Sequence, residues 1–116
     1  MVNIKFACKE IPIMQILKCS FNLNTTEVEV LKYLFSTEEE QEVSEIMKHV
    51  KKDRTTIQRA VMDLTKQDLV KRRQMNLEKG GYVFVYSPKD KEKVKERIYQ
   101  IFDSFKKKVE NEIEDW

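Results

Sequence analysis

The stretch Asp53-Arg54-Thr55-Thr56-Ile57-Gln58-Arg59-Ala60-Val61-Met62-Asp63-Leu64 decides the fold. Its apolar members Ile57, Ala60, Val61 and Leu64 fall at i, i+3, i+4 and i+7, the spacing of one buried helix face. Asp53 stands where an N-cap belongs, because a short carboxylate there accepts from first-turn amides that have no partner within the helix. The opposite face carries Arg54, Thr55, Gln58, Arg59 and Met62, with Lys66 beyond them. The segment is therefore an amphipathic helix with a cationic and amide-bearing outer face.

Upstream, Ser44 to Val50 predicts a short helix with Ser44 as N-cap and Ile46, Met47 and Val50 on its apolar face, and Val43 packs at the end of the preceding loop, as a short strand or as the entry to this helix. Lys51-Lys52-Asp53 separates the two helices. A break of about three residues is the length used by helix-turn-helix units. Further back, a helix opens at Thr25 or Thr26, with Glu27 and Glu29 in its first turn and Val28, Val30, Leu31, Leu34 and Phe35 as its stripe. Ile11 to Phe21 predicts another, with Pro12 in its first turn. Asn22 to Asn24 is a turn, and the acidic run Ser36 to Glu42 is a loop, whose Glu38-Glu39-Glu40 is read as solvated.

Downstream, Leu69 to Met75 and Tyr82 to Tyr86 are two β-prone runs, the second wholly aromatic and β-branched. The only two glycines, Gly80 and Gly81, lie between them and supply the positive φ of a hairpin turn. Pro88 ends the hairpin. Lys89 to Trp116 predicts one long helix with the stripe Val94, Ile98, Ile101, Phe102, Phe105, Val109, Ile113 and Trp116. At 1.5 Å per residue it spans roughly 40 Å, more than the preceding winged core can cover. The stripe is therefore expected to pair, antiparallel or crossed, with a second copy of the chain rather than fold back on its own domain.

The net charge of +2 conceals an uneven distribution. Glu27 to Glu45 holds seven acids and one Lys, whereas Lys51 to Lys79 holds nine Lys or Arg against four acids. From Lys89 onward, eight bases balance eight acids. The positive charge thus falls on the helix-turn-helix and hairpin, as a polyanion-binding face requires. A chromatin-type binder that ignores sequence is usually more basic throughout.

In a helix-turn-helix the second helix enters the major groove N-terminus first. Arg54 and Arg59 suit guanine, Gln58 suits adenine, and Thr55 and Thr56 suit a thymine methyl or a phosphate. Lys51 and Lys52 in the turn are phosphate contacts. Arg72 and Arg73 lie on the first hairpin strand and Lys79 at its tip, within reach of a minor groove or backbone. Two residues have competing uses: Thr56 can serve the cap, and Arg59 stands one turn from Asp63. Consecutive strand residues face opposite ways, so at most one of Arg72 and Arg73 faces DNA directly.

Catalysis is not expected. His49 is the only histidine, so neither a Ser/His/Asp arrangement nor a His/Cys zinc cluster can be built, and no glycine-rich phosphate loop occurs. No metal or cofactor is expected. Cys8 and Cys19 form no CxxC and are read as reduced, mostly packed thiols, with a redox switch as the alternative. No run of about 18 apolar residues exists, and residues 1–10 lack a signal peptide's apolar centre, so the expected compartment is the cytoplasm.

Four stretches resemble archaeal winged-helix regulators of the TrmB and MarR kind: Leu23-Asn24-Thr25-Thr26-Glu27-Val28-Glu29-Val30-Leu31, Asp53 to Val61, Leu69-Val70-Lys71-Arg72, and Gly80-Gly81-Tyr82-Val83-Phe84-Val85-Tyr86. The resemblance covers Leu23 to Pro88. It implies a mainly α fold with a small β-hairpin wing (α+β), a winged helix-turn-helix, and a C-terminal helix that mediates dimerisation. Sugar-responsive TrmB proteins carry a separate effector domain where this sequence has one helix, so a stand-alone DNA-binding member is expected. MarR-like proteins hold small effectors between the dimerisation helices and the winged helix; no residue here identifies such an effector.

The expectation is a single domain over 1–116, with a winged-helix core over 11–88 and a dimerisation helix over 89–116. Its partners are double-stranded DNA and a second copy of itself, and it needs no membrane. The alternatives are a winged-helix protein-interaction module of the transcription machinery and a nonspecific chromatin-type DNA binder.

Overall fold

A computed structural model describes residues 3–37 and 39–116. The element order is β1 (Asn3–Phe6), β2 (Lys9–Pro12), α1 (Ile13–Ser20), α2 (Thr25–Ser36), α3 (Val43–His49), α4 (Arg54–Lys66), β3 (Val70–Asn76), β4 (Tyr82–Pro88) and α5 (Lys91–Glu114). Contacts group these into two units, Leu23–Lys89 and the two terminal segments Met1–Asn22 with Asp90–Trp116. Residues 11–22 therefore group with α5.

The unit Leu23–Lys89 is a winged helix. Its α2 opens on a reciprocal capping box: Asn24 Oδ1 accepts from the Glu27 amide at 2.8 Å, and Glu27 Oε1 accepts from the Asn24 amide at 2.8 Å. Val30, Leu31 and Leu34 of α2, Ile46 of α3, Ile57, Val61 and Leu64 of α4, and Leu69 and Val70 at the start of the wing are almost completely buried. They form one core under the sheet.

Helix α3 begins one residue earlier than the sequence suggested. Its N-cap is Glu42, not Ser44, and the Glu42 amide donates to Glu45 Oε1 at 3.0 Å. The reason is burial, since Val43 is sealed into the core and is drawn into the first turn. Ser44 instead donates its hydroxyl to Glu42 Oε2 at 3.3 Å. Helix α4 ends at Lys66 with Gln67 as its C-cap, and just beyond it the left-handed backbone of Asp68 (φ +60°) lets the Leu69 amide return to the Leu64 carbonyl at 3.0 Å. Aspartate tolerates that region better than most residues.

Strands β3 and β4 pair antiparallel, with Arg72 opposite Tyr86, Arg73 opposite Val85 and Gln74 opposite Phe84. Gly80 and Gly81 have φ of +92° and +81° at the wing tip, as their placement required. Gln41 adds one antiparallel bridge to the free edge of β4, through amide–carbonyl bonds of 2.9 and 2.8 Å with Tyr86.

In the other unit, β1 and β2 form a hairpin that pairs Ile4 with Ile11 and Phe6 with Lys9. The sequence did not announce it, because Ala7-Cys8 carries none of the usual turn residues and each strand has only four residues. Pro12 is the N-cap of α1 rather than a first-turn residue, and Cys8 and Cys19, expected to be packed, are exposed because they lie at the β1–β2 turn and on the outer side of α1. Phe21 is buried, with the Arg97 guanidinium 4.9 Å above its ring. Helix α5 starts two residues later than expected because Asp90 caps it, accepting from the Glu92 amide at 3.1 Å. Its 24 residues span about 36 Å.

Candidate nucleic-acid interface

Helix α4 divides into two faces. Ile57, Ala60, Val61 and Leu64 are buried, while Arg54, Thr55, Gln58, Arg59, Met62 and Lys66 are exposed. Asp53 caps the helix, its Oδ1 accepting from the Thr56 amide at 2.8 Å. Hydrogen bonds from the Thr56 hydroxyl and amide hold the Asp53 carboxyl below its ordinary range. Thr56 is thus half-buried and serves the cap, the structural alternative for that residue. Arg59 forms no ion pair with Asp63 among the described residues. Asp63 lies instead against Glu27, whose carboxyl is pushed up by burial and by the nearby Asp63 charge.

The turn between α3 and α4 is short because Val50 is buried and the Lys52 amide closes on the Val50 carbonyl at 2.7 Å. Lys51 and Lys52 project from it and are exposed. Behind the turn, His49 stacks on Tyr33 with ring centroids 4.5 Å apart, and the Tyr33 hydroxyl donates to Gln41 Oε1 at 2.8 Å. The one histidine therefore belongs to a packing arrangement, and no cluster of metal-ligating side chains exists among the described residues.

The wing separates its two arginines. The Arg72 guanidinium lies 4.2 Å over the Phe84 ring, and Phe84 meets Tyr82 edge-on at 5.4 Å. On the opposite face, Arg73 is tied to Glu40, with Nε to Oε2 at 2.9 Å and Nη2 to Oε1 at 2.8 Å. Phe84 and Tyr86 also line a groove of about 300 Å³ with Arg54 and Gln58 of α4 and Glu42, Val43 and Ser44 at the start of α3. Arg72 thus shares its sheet face with the aromatics of the groove beside α4, and Arg73 does not. Lys79 is exposed at the wing tip.

The geometry brings Arg54, Thr55, Gln58, Arg59 and Arg72 to two neighbouring elements, with Lys51, Lys52 and Lys79 at their margins. The sequence reading missed Glu40, which occupies Arg73, and Phe84, which carries Arg72. Strand alternation gave the signal for Phe84; nothing local marked Glu40.

Residues 17–92 match the family described as sugar-specific transcriptional regulator TrmB. The chain belongs to that family. A Methanocaldococcus jannaschii relative, MJ1503, is 30% identical over 97% of this chain and 88% of its own length. Among solved structures, a match in length and fold is a possible transcriptional regulator from Methanosarcina mazei, with a TM-score of 0.87 and 30% identity over 99% of this chain and 97% of the other. A mutant of Staphylococcus aureus MepR bound to an oligodeoxyribonucleotide shares the fold at a TM-score of 0.56 and 16% identity, covering 84% of this chain and 70% of that one. The winged helix-turn-helix with a long C-terminal helix is thus the architecture of transcription regulators of the TrmB and MarR kind.

Proposed function

We propose that this TrmB-family chain is a sequence-specific, double-stranded DNA-binding transcription regulator that acts as a homodimer in the cytoplasm. The observation that carries the reading is the outer face of α4, where Arg54, Thr55, Gln58 and Arg59 stand exposed beside a basic wing while the inner face is sealed. The N-terminal turns of α4 would enter the major groove, with Arg54 and Arg59 on guanine or phosphate and Gln58 on adenine. Lys51 and Lys52 would hold backbone phosphates, and Arg72 and Lys79 would follow the adjacent groove. Arg73 would join only by leaving Glu40, and Thr56 supports the set by fixing the cap.

Dimerisation through α5 is supported by the uncovered part of its stripe; at the start of the stripe Val94 is buried and Ile98 half-buried within the chain, so Val94, expected to pair, is not left to face a second copy. Phe102, Phe105, Val109 and Ile113 are 45%, 60%, 40% and 58% exposed, and Trp116 is fully exposed. A single chain does not leave such a stripe in water without cost. A parallel pair would set Lys106–Lys108 and the acidic stretch 110–115 against their own copies, so an antiparallel or crossed pair is favoured. Two recognition helices would then read half-sites roughly 34 Å apart, or a multiple of that, on a pseudo-palindrome. Selection of bound duplexes from a random library tests the proposal. A two-fold-related consensus is the expected result, and retention of no sequence over any other would overturn it.

A further inference from the structure

We infer that Met62 reads a thymine methyl group in the major groove, an inference that rests on the DNA-binding reading of α4. In the unit Leu23–Lys89, three large apolar residues are strongly exposed: Met62 at 50%, Leu77 at 44% and Tyr82 at 56%. Leu77 and Tyr82 belong to the wing, and Met62 stands on the outer face of α4. Elsewhere the unit buries or half-buries its large apolar side chains, so a half-exposed methionine on this one face calls for a partner.

The helical spacing gives its position. Thr55, Gln58, Arg59, Met62 and Lys66 recur at i, i+3, i+4, i+7 and i+11, one continuous stripe. Met62 lies one turn beyond Gln58, about 6 Å along the axis, which is less than two base-pair steps of roughly 3.4 Å. An apolar side chain that enters the groove with its polar neighbours meets one apolar group on the base edges, the C5-methyl of thymine. Methionine suits that contact because it is unbranched and its thioether adapts to an irregular surface. Arg59 and Gln58 specify by hydrogen bonding, whereas Met62 would add an apolar contact to the thymine C5-methyl, a group that hydrogen-bond donors on α4 do not sense.

The test uses the duplex selected by the full chain, remade with deoxyuridine replacing one thymidine at a time in both half-sites. Deoxyuridine removes the methyl and leaves the pairing intact. Wild type is expected to lose about threefold to fivefold in affinity per half-site at one position, the size of one buried methyl. Met62→Ala should bind the thymine and uracil duplexes equally there, while Met62→Leu keeps the difference. That position should lie within two base pairs of the one whose base preference relaxes in Gln58→Ala. Sensitivity at no position, or sensitivity that persists in Met62→Ala, overturns the role of Met62 and leaves DNA binding intact. Failure of the library to yield any preferred duplex overturns the DNA reading, and this inference with it.

Discussion

Glu40 and Arg73, 33 residues apart in sequence, hold one another through three hydrogen bonds of 2.8, 2.9 and 3.2 Å. The pair ties the loop after α2 to the wing, on the sheet face away from Arg72. Arg73 lowers the pKa of the Glu40 carboxyl, and the carboxylate raises that of Arg73. The two adjacent arginines of β3 therefore have different partners before any ligand arrives.

Unequal effects on DNA binding are the consequence. Arg72→Ala is expected to weaken duplex affinity by about tenfold and to lower the salt slope by about one. Arg73→Ala should change affinity less than about twofold. Glu40→Gln removes an acid and releases Arg73, so affinity should rise a few-fold with a steeper salt dependence. Anisotropy titrations across a salt series check all three. Equal losses for the two arginine variants would show that Arg73 leaves Glu40 to bind DNA.

The carboxyls of Glu27 and Asp63 give a pH signature. Burial, and then the neighbouring Asp63 charge, raise the Glu27 pKa above its ordinary 4.5. The native state thus binds this proton more tightly than the unfolded chain does. Its stabilising contribution is complete below pH 4.5 and is lost as pH rises through the folded value. Glu27→Gln keeps an oxygen for the Asn24 amide and removes the charge. Melting temperature at pH 7 should rise by a few degrees, the shift that ~1 kcal/mol gives in a domain this size, and should depend less on pH. Calorimetry between about pH 4 and pH 7 decides; a uniform drop at every pH would mean that Glu27 acts only as a cap.

Most of the winged helix was legible because its signals are local. Ile57, Ala60, Val61 and Leu64 announce a helix by spacing alone, and Gly80-Gly81 between two β-prone runs announces a turn. What escaped depends on contacts distant in sequence or on weak local chemistry. Burial of Val43 moved the start of α3; the sequence showed that Val43 packs, but not that the helix takes it into its first turn with Glu42 as cap. The β1–β2 hairpin turns through Ala7 at φ +39°, where the sequence offers no glycine or asparagine. For the candidate interface, alternation along β3 predicted that Arg72 and Arg73 would part, but which of them faces α4 depended on Glu40 and Phe84. Spacing placed Met62 on the outer face; its half exposure gave that placement a meaning.

The Asp53 cap should matter for stability and should show the opposite pH sign to Glu27. Its carboxyl is held below the ordinary 3.8 by the Thr56 hydroxyl and amide. Its stabilisation is therefore present above pH 3.8 and is lost as pH falls through the folded value. Asp53→Ala is expected to lower the melting temperature by a few degrees at pH 7, and Asp53→Ser to restore most of the loss. The difference between wild type and Asp53→Ala should shrink in acid. Identical melting of the two proteins at pH 7 would remove Asp53 from the account of how α4 is started.

Phe105 tests the dimer. It is 60% exposed near the middle of the α5 stripe, where an antiparallel partner would place its own Phe105 close to the two-fold axis. A substitution near that axis is felt twice in each dimer. Losing a buried Phe costs roughly 1.5–3 kcal/mol per copy, so Phe105→Asp should weaken self-association by about 100-fold or more. Sedimentation at micromolar concentration is expected to give a dimer for wild type and a monomer for the variant. The variant should keep its helical circular dichroism, because α5 makes its helical hydrogen bonds within itself. Lys107→Ala serves as the control: it lies on the same helix outside the apolar stripe and should sediment as a dimer. A wild-type monomer, or a Phe105→Asp protein that remains dimeric, would refute pairing through this stripe.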